Sequence, residues 1–285
     1  MMDLSLSPLL GALGDLHSNV QGLLYMFALS SIRVMVVFLI LPATSTQVLP
    51  GLVRAGVTYL LSGFIAASQT PDAFDHLSPV ALLVLTCKEA FIGLVIGYAA
   101  STIFWTAQAA GALIDNLAGF NNVQMSNPLQ GEQNTPVSNV LMQLAITLFY
   151  ISGGMTMLLG ALFDSYRWWP LASTLPPGVV TAGNAAMDFL VNQGTTMLST
   201  AIKLCAPVIL VLILIDLGLG VISRAADKLE PTSLSQPLRG IVGVLLLIVL
   251  VSVLASQVRA TLNLHGFAPE IYGAFTDKKS AEKPK

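Results

Sequence analysis

Five charged side chains interrupt long apolar stretches of this sequence, and they are the residues best placed to do chemistry: Arg33, Lys88, Glu89, Lys203 and Asp216. Ionisable groups in such stretches mark either proton and ion pathways or partners on neighbouring helices. A relay would need further carboxylates at helical spacing, and none recurs. We therefore predict that these residues pair with neighbouring helices or extend their long side chains to an interface.

Lys88 and Glu89 are adjacent, so they point about 100° apart on a helix. This spacing does not by itself predict an ion pair, because facing residues on a helix are three or four positions apart.

No motif for catalysis appears in the sequence. It has no G-x-x-x-x-G-K-[ST] phosphate loop, no H-E-x-x-H and no G-x-S-x-G. His17, His76 and His265 lie far apart, and Cys87 and Cys205 sit in apolar runs where cysteine usually packs as a small hydrophobe. We predict no catalytic residue, no cofactor and no metal site, so the energy for any transport would come from a partner ATPase or a proton gradient.

The elements that position these charges belong in a membrane. Hydrophobic residues make up 54% of the 285 residues, charged residues only 10%, and the mean hydropathy is +0.76. A soluble domain carries about 25% charged residues because its surface must stay hydrated. The net charge of -2 gives no basic face for nucleic acid.

Apolar segments recur along the whole chain, and each is continuous rather than alternating. Because backbone groups in lipid must be satisfied within helices or closed barrels, continuous runs favour helices. We predict an all-α, polytopic membrane protein of about six long hydrophobic helices. It would form a single domain over residues 1–265, followed by a polar Lys-rich tail over 266–285. The predicted helices are Ser18–Leu41, Val53–Ser68, Val80–Ile114, Val137–Phe163, Ala185–Ile222 and Leu238–Leu262.

Basic residues flank the last segment on both sides, although such residues favour the cytoplasmic side of a membrane. The loop before it holds Arg224, Lys228 and Arg239, and the tail holds four lysines. We predict that the loop faces the cytoplasm. A hairpin that does not fully cross, or an assembly lifted out of the bilayer, would remove the conflict.

A stripe of small residues, Gly93, Gly97 and Ser101, repeats at four-residue spacing. This spacing puts all three on one helical face, where another backbone can approach closely. The same physics serves a subunit interface and packing within one chain, so both interpretations stand.

The least ordinary segment connects Asn116 to Pro136. It is rich in side-chain amides, nearly uncharged, and carries several apolar groups. Loops longer than about 12–15 residues are usually functional or disordered. Amides with a few apolar groups suit the lining or plug of a narrow aqueous path, and a plain extramembrane loop is the alternative.

Several of these residues together resemble the FliR/SctT family, over about Leu23 to Ala260. The resemblance rests on Lys88 to Tyr98 continuing to Gln108, Gly111, Asp115, Gly119 and Phe120; on Arg33, Pro42, Pro50 and Arg54; on Ala206-Pro207 and Gly218–Arg224; and on Ser235 to Leu238. The injectisome branch (SctT) is favoured over the flagellar one by Gly153-Gly154 and by Asp164 to Pro170.

The resemblance implies a subunit of the type III protein export gate in the bacterial inner membrane, through which unfolded secreted proteins pass. It implies assembly with SctR and SctS, with SctU wrapped around them, in a helical cone largely above the membrane plane. It also implies a pore plug formed by Gly119–Thr135, including Gly119, Phe120, Asn121, Asn122, Val123, Gln124 and Met125.

The main alternative is a small-molecule secondary transporter or channel subunit. Many such transporters are built from inverted repeats with discontinuous helices at matching positions. The two halves of this sequence show no convincing repeat.

Overall fold

The computed structural model describes residues 7–69, 74, 77–119, 125–126, 133–174, 182–225 and 231–263. Within these ranges the chain is almost entirely helical, as predicted. The α-helices are α1 (Ser7–Ile40), α2 (Gly51–Ala67), α3 (Pro79–Ala118), α4 (Pro136–Ile151), α5 (Gly154–Trp168), α6 (Ala182–Ala225) and α7 (Pro231–Asn263). A 3-10 turn, Pro42–Thr44, follows α1, and two short strands, β1 (Met125–Ser126) and β2 (Gln133–Asn134), pair between α3 and α4.

Five of the six predicted segments each correspond to one helix, but the segment Val137–Phe163 does not. It breaks after Ile151, and α4 and α5 are bent by 71° from each other. Gly153 has a φ of 76°, which L side chains rarely adopt, and its backbone N–H donates to Tyr150 O at 3.1 Å in a turn. The described part of the chain therefore has seven α-helices.

The predicted loop before the last helix is also shorter than expected. α6 continues to Ala225, and α7 already begins at Pro231, so Arg224 lies in the last turn of α6 and Arg239 lies within α7. Proline is well suited to the first helical position, because the N–H that it lacks would have no partner there. The predicted helix began at Leu238, whereas α7 extends further toward the N-terminus and contains Pro237. Lys228 lies outside the described residues.

Four helices are long and apolar enough to cross a membrane, or five spans exist if α4 and α5 together make one. The four candidate spans are Val20–Ile40, Pro79–Ala118, Met187–Ile222 and Pro237–Ser256, whereas α2 is a shorter apolar helix. This count among the described residues is slightly below the predicted six. The length and the apolar composition of these helices are those of a membrane protein.

The chain divides into two compact units. The first unit contains the residues up to Ala100 and Leu158–Asp188, and the second contains Ser101–Met157 and the described residues from Phe189 onward. In the first unit, α1 and α2 form a hairpin. The buried side chains of this unit include Phe38 of α1 and Ile92 of α3. In the second unit, Phe104 and Phe149 meet edge to face, with ring centroids 5.2 Å apart.

Candidate functional site

A buried cluster of charged side chains connects α1 and α3 inside the first unit. Arg33 donates two hydrogen bonds to the Glu89 carboxylate, Nε to Oε2 at 2.7 Å and Nη2 to Oε1 at 3.0 Å. Lys88 Nζ lies 2.8 Å from Glu89 Oε1. The predicted pairing between helices is therefore confirmed for Arg33 and Glu89. Lys88 also contacts its neighbour's carboxylate, which the spacing did not predict, because a long flexible lysine can cover the angular offset.

The same two cations hold the turn that follows α5. Arg33 Nη1 donates to Ser165 Oγ at 2.9 Å and Nη2 to Trp169 O at 3.2 Å. Lys88 Nζ donates to the carbonyls of Pro170, Leu171 and Ser173 at 2.9–3.0 Å. Carbonyls at and beyond a helix C-terminus have no intrahelical partner and carry partial negative charge, so cations are favourable there.

An aromatic side chain completes the cluster. The Arg33 guanidinium lies over the Tyr166 ring, 3.9 Å from its centroid, and the Tyr166 hydroxyl donates to Ser30 O at 2.9 Å. Cations stack favourably on aromatic faces, most strongly where both are removed from water. The cluster thus connects α1, α3 and the end of α5 through hydrogen bonds that are buried or part-buried. This geometry fits a structural role rather than a proton relay, which needs a chain of exchangeable carboxylates.

The remaining predicted charges lie in the second unit. Arg239 Nε on α7 donates to Asp216 Oδ1 on α6 at 2.7 Å, so this pairing between helices is also confirmed. Both side chains are partly exposed, at 27% and 42%. Lys203 is exposed on α6 and Arg224 is exposed at its end.

Within the predicted plug loop the structure describes only residues 119, 125–126 and 133–135. Gly119 terminates α3 with a φ of 78°, a left-handed conformation typical of the residue after a helix. Met125 pairs with Asn134 and Ser126 with Gln133, so the loop returns on itself in an antiparallel pair. Phe120, Asn121, Asn122, Val123 and Gln124 lie outside the described residues.

Asp115, near the end of α3, connects the two helices that flank this loop. Its carboxylate, fully buried on α3, accepts hydrogen bonds from the backbone N–H groups of Val137 at 3.2 Å and Ser138 at 3.0 Å. These are early N–H groups of α4, which have no intrahelical partner and favour a negative charge. Thr135 occupies the N-cap position of α4, but its own hydroxyl makes no capping hydrogen bond. Asp115 therefore caps α4 from another helix.

Three further contacts lie near the end of α3 and the start of α4. The Ser138 hydroxyl donates to Gln108 O at 3.1 Å, and Gly111 on α3 lies against the Ser138 backbone with no room for a Cβ. Arg239 Nη1 also donates to Leu117 O, in the last turn of α3, at 3.4 Å. Arg239, one of the three residues of the predicted basic loop, thus contacts the end of α3, where the loop to α4 begins.

The glycine stripe of α3 is used for packing within the chain. A Cβ on Gly93 would lie 2.8 Å from Arg33 O, and a Cβ on Gly97 would lie 3.3 Å from Val37 Cα. Both glycines therefore let the backbones of α1 and α3 approach closely. Ser101, the third member, is fully buried. A role of this stripe at a subunit interface stays a prediction.

Sequence reasoning alone did not identify several residues of these sites. Ser165, Tyr166 and the carbonyls after α5 gave no signal, because their partners are more than 80 positions away in sequence. Asp115 entered only through the family resemblance. A local signal for it exists: a carboxylate just before the end of an apolar helix, followed by a loop and a helix that starts with proline.

The sequence was compared with known proteins. The family described as bacterial export proteins, family 1, matches residues 24–264. The Yop proteins translocation protein T of Yersinia pestis is 33% identical over 231 residues, which cover 81% of this chain and 87% of that protein. The surface presentation of antigens protein SpaR of Salmonella typhimurium is 28% identical over 236 residues, covering 82% and 85%. The flagellar biosynthetic protein FliR of Bacillus subtilis is 25% identical over 243 residues, covering 84% and 90%.

Proposed function

Because the chain belongs to the bacterial export proteins, family 1, and is therefore a subunit of a type III secretion or flagellar export apparatus, we propose that it lines and plugs the pore of an inner-membrane protein export gate. In this role it is not an enzyme: it forms a path for unfolded secreted proteins. Its identity to the Yersinia translocation protein exceeds that to the Bacillus flagellar protein, which favours the injectisome branch (SctT).

The observation that carries the plug assignment is the anchored loop between α3 and α4. A plug must move without unfolding its support, so its ends need a rigid base and its tip must make only weak contacts. The base is the buried Asp115 cap on α4 together with the close contact of Gly111 and Ser138. The sequence between Gly119 and Thr135 supplies amides and the apolar side chains of Phe120, Val123 and Met125. Apolar constrictions close pores by excluding water, and they separate again at small cost.

The helix dimensions support a gate assembled from several subunits. α3 has 40 residues and α6 has 44, so they extend about 60 Å and 66 Å, whereas the hydrocarbon core is about 30 Å thick. Much of α6 also exposes large apolar side chains, among them Leu210, Leu214 and Val221. Such surfaces need cover from lipid or other proteins. We propose SctR and SctS as neighbours in the gate and SctU as the protein around it.

The plug is tested by two triple variants that keep the loop length and the Asp115 base. Replacing Phe120, Val123 and Met125 by serine removes the apolar groups, and we expect the entry of small solutes into cells to rise. Replacing Asn121, Asn122 and Gln124 by serine removes amides instead and should leave the barrier closer to wild type. Assembly of each complex is checked in parallel by native electrophoresis.

A stronger form of the same test replaces Gly119–Thr135 by a shorter flexible linker. It should leave assembly intact and raise permeability further than the apolar triple variant. Unchanged permeability in correctly assembled complexes of both variants would reduce this segment to a connector. A transporter is distinguished separately, since a gate subunit needs co-expressed neighbours to be monodisperse in detergent and a transporter does not.

We also propose that the region of Arg224, Lys228 and Arg239 lies on the cytoplasmic side, near SctU. Cysteines introduced at Ser233 and Ser235, in the first turns of α7, test this placement by cross-linking in cells. Labelling of both positions from the periplasm alone would contradict it.

A further inference from the structure

The hairpin of α1 and α2 holds a cavity of about 150 Å³ inside the first unit. Its walls are largely apolar and include Met35 and Leu39 from α1 and Tyr59 from α2. These three side chains are also well exposed, at 58%, 64% and 56%. The cavity therefore opens onto an apolar outer face of the hairpin rather than into the core.

One cation lines this cavity, and it has no counter-charge. The Arg54 side chain is half-buried and makes no hydrogen bond or ion pair with any residue of the described chain. Thr58, the other polar residue of the wall, already donates its hydroxyl to Arg54 O at 2.8 Å. A guanidinium offers five N–H donors in a planar fork that matches carboxylate and phosphate oxygens. Where lipid shields such a site from water, an anion stabilises a guanidinium that lies beside apolar walls.

The position of the site at the end of a candidate membrane span points to the class of anion. The candidate span Val20–Ile40 forms the C-terminal part of α1, which has 34 residues in all and so exceeds the roughly 20 that a hydrocarbon core requires. The polar turn to α2 begins after Ile40, so in a bilayer this end of the span would mark the edge of the hydrocarbon. Arg54 lies in the first turn of α2, about 6 Å along its axis. Its guanidinium can therefore reach the layer of lipid phosphates, as basic side chains near helix ends commonly do.

We propose that this cavity binds the headgroup of an anionic phospholipid, with its phosphate on Arg54 and an acyl chain over Met35, Leu39 and Tyr59. The eight residues that line the cavity include no acidic side chain. A choline or ethanolamine headgroup would place a second cation beside Arg54 without compensation. The site consequently prefers phosphatidylglycerol to phosphatidylcholine, and this preference is independent of the plug proposal.

Native mass spectrometry of the detergent-solubilised export complex tests the site, with short-chain phosphatidylglycerol and phosphatidylcholine as added probes. Arg54→Gln should weaken phosphatidylglycerol binding by about tenfold or more, the usual effect of losing charge-assisted hydrogen bonds. Arg167→Gln is the matched control, since it removes the same charge from a side chain that is 84% exposed in the same unit. A second variant, Ala55→Leu, narrows the cavity while keeping Arg54 and should also weaken binding.

Equal phosphatidylglycerol affinity in wild type and Arg54→Gln would overturn the proposal. Equal weakening by Arg167→Gln would also overturn it, because the effect would then be one of net charge. Inorganic phosphate that binds as tightly as the lipid would show a small-anion site instead. Loss of a partner subunit from the Arg54→Gln complex, with lipid binding unchanged, would assign the guanidinium to a carboxylate of that subunit.

Discussion

Arg33 and Glu89 form a two-point ion pair between α1 and α3, and neither side chain is exposed to solvent. Removing two charges from water is expensive, and their attraction offsets this cost only when the geometry is good and the remaining polar atoms are satisfied. The geometry is good, and Ser165 and the Trp169 carbonyl accept two further guanidinium hydrogens while Lys88 shares the carboxylate.

Neutralising the carboxylate should therefore destabilise the protein strongly. Glu89→Gln leaves two buried cations against one amide, and we expect a loss of about 3–5 kcal/mol, the usual cost of breaking a buried pair. Asp164→Asn is the matched control, because Asp164 and Arg167 form an exposed pair 3.6 Å apart. Such surface pairs contribute about 0–1 kcal/mol. Thermal unfolding of the purified complexes compares the two variants, and similar midpoints would refute the structural role of the cluster.

The existence of this pair was predictable, but its geometry was not. Charges within apolar segments must find partners, and from this rule the sequence predicts pairing between helices. Which helices pair depends on tertiary packing, since Arg33 and Glu89 are 56 positions apart and Arg33 and Ser165 are 132 apart. No periodicity of a single segment encodes such a contact.

Helix boundaries were likewise predictable where the local sequence determines them and unpredictable where tertiary packing does. Apolar length predicted five of the helices, because membrane-length runs are a strong local signal. The break at Gly153 was missed because the run Val137–Phe163 stays apolar across it, and only the positive φ of one glycine separates α4 from α5. Similarly, the last predicted helix began at Leu238, yet α7 begins at Pro231 and continues through Pro237.

The close approach of α1 and α3 gives a second prediction. Gly93→Ala places a Cβ 2.8 Å from Arg33 O, so the helices must separate, and overpacking of this kind costs about 1–3 kcal/mol. The displaced backbone also belongs to Arg33, so the ion pair with Glu89 should weaken as well. Gly97→Ala, at 3.3 Å from Val37 Cα, should cost less.

The control for this variant is Gly63→Ala on α2, where an added Cβ meets nothing within 4 Å. Alanine there should be neutral or stabilise by about 0.5–1 kcal/mol, because glycine loses more backbone entropy in a helix. Unfolding midpoints measured by intrinsic fluorescence in detergent rank the stability of the three glycine variants. If Gly93→Ala proves as stable as Gly63→Ala, the contact between α1 and α3 is looser than described.

The last prediction concerns the base of the loop between α3 and α4. Asp115→Ala removes the carboxylate that caps α4 and leaves the N–H groups of Val137 and Ser138 without an acceptor. Losing a cap costs about 0.5–2 kcal/mol, and burial of the freed donors adds to it. We expect the loop ends to separate and protease cleavage between Gly119 and Thr135 to accelerate.

Thr135→Val is the matched control for Asp115→Ala, because it alters the N-cap residue itself without touching the carboxylate. The Thr135 hydroxyl is buried and has no hydrogen-bond partner in the described structure, so a methyl group of similar size should be neutral or mildly stabilising. Limited proteolysis, read by mass spectrometry of the fragments, compares both variants with wild type. Because the cap comes from Asp115 and not from Thr135, only the first variant should expose the loop. The opposite order would show that α4 is capped by its own N-terminal residue and that the loop base is not held from α3.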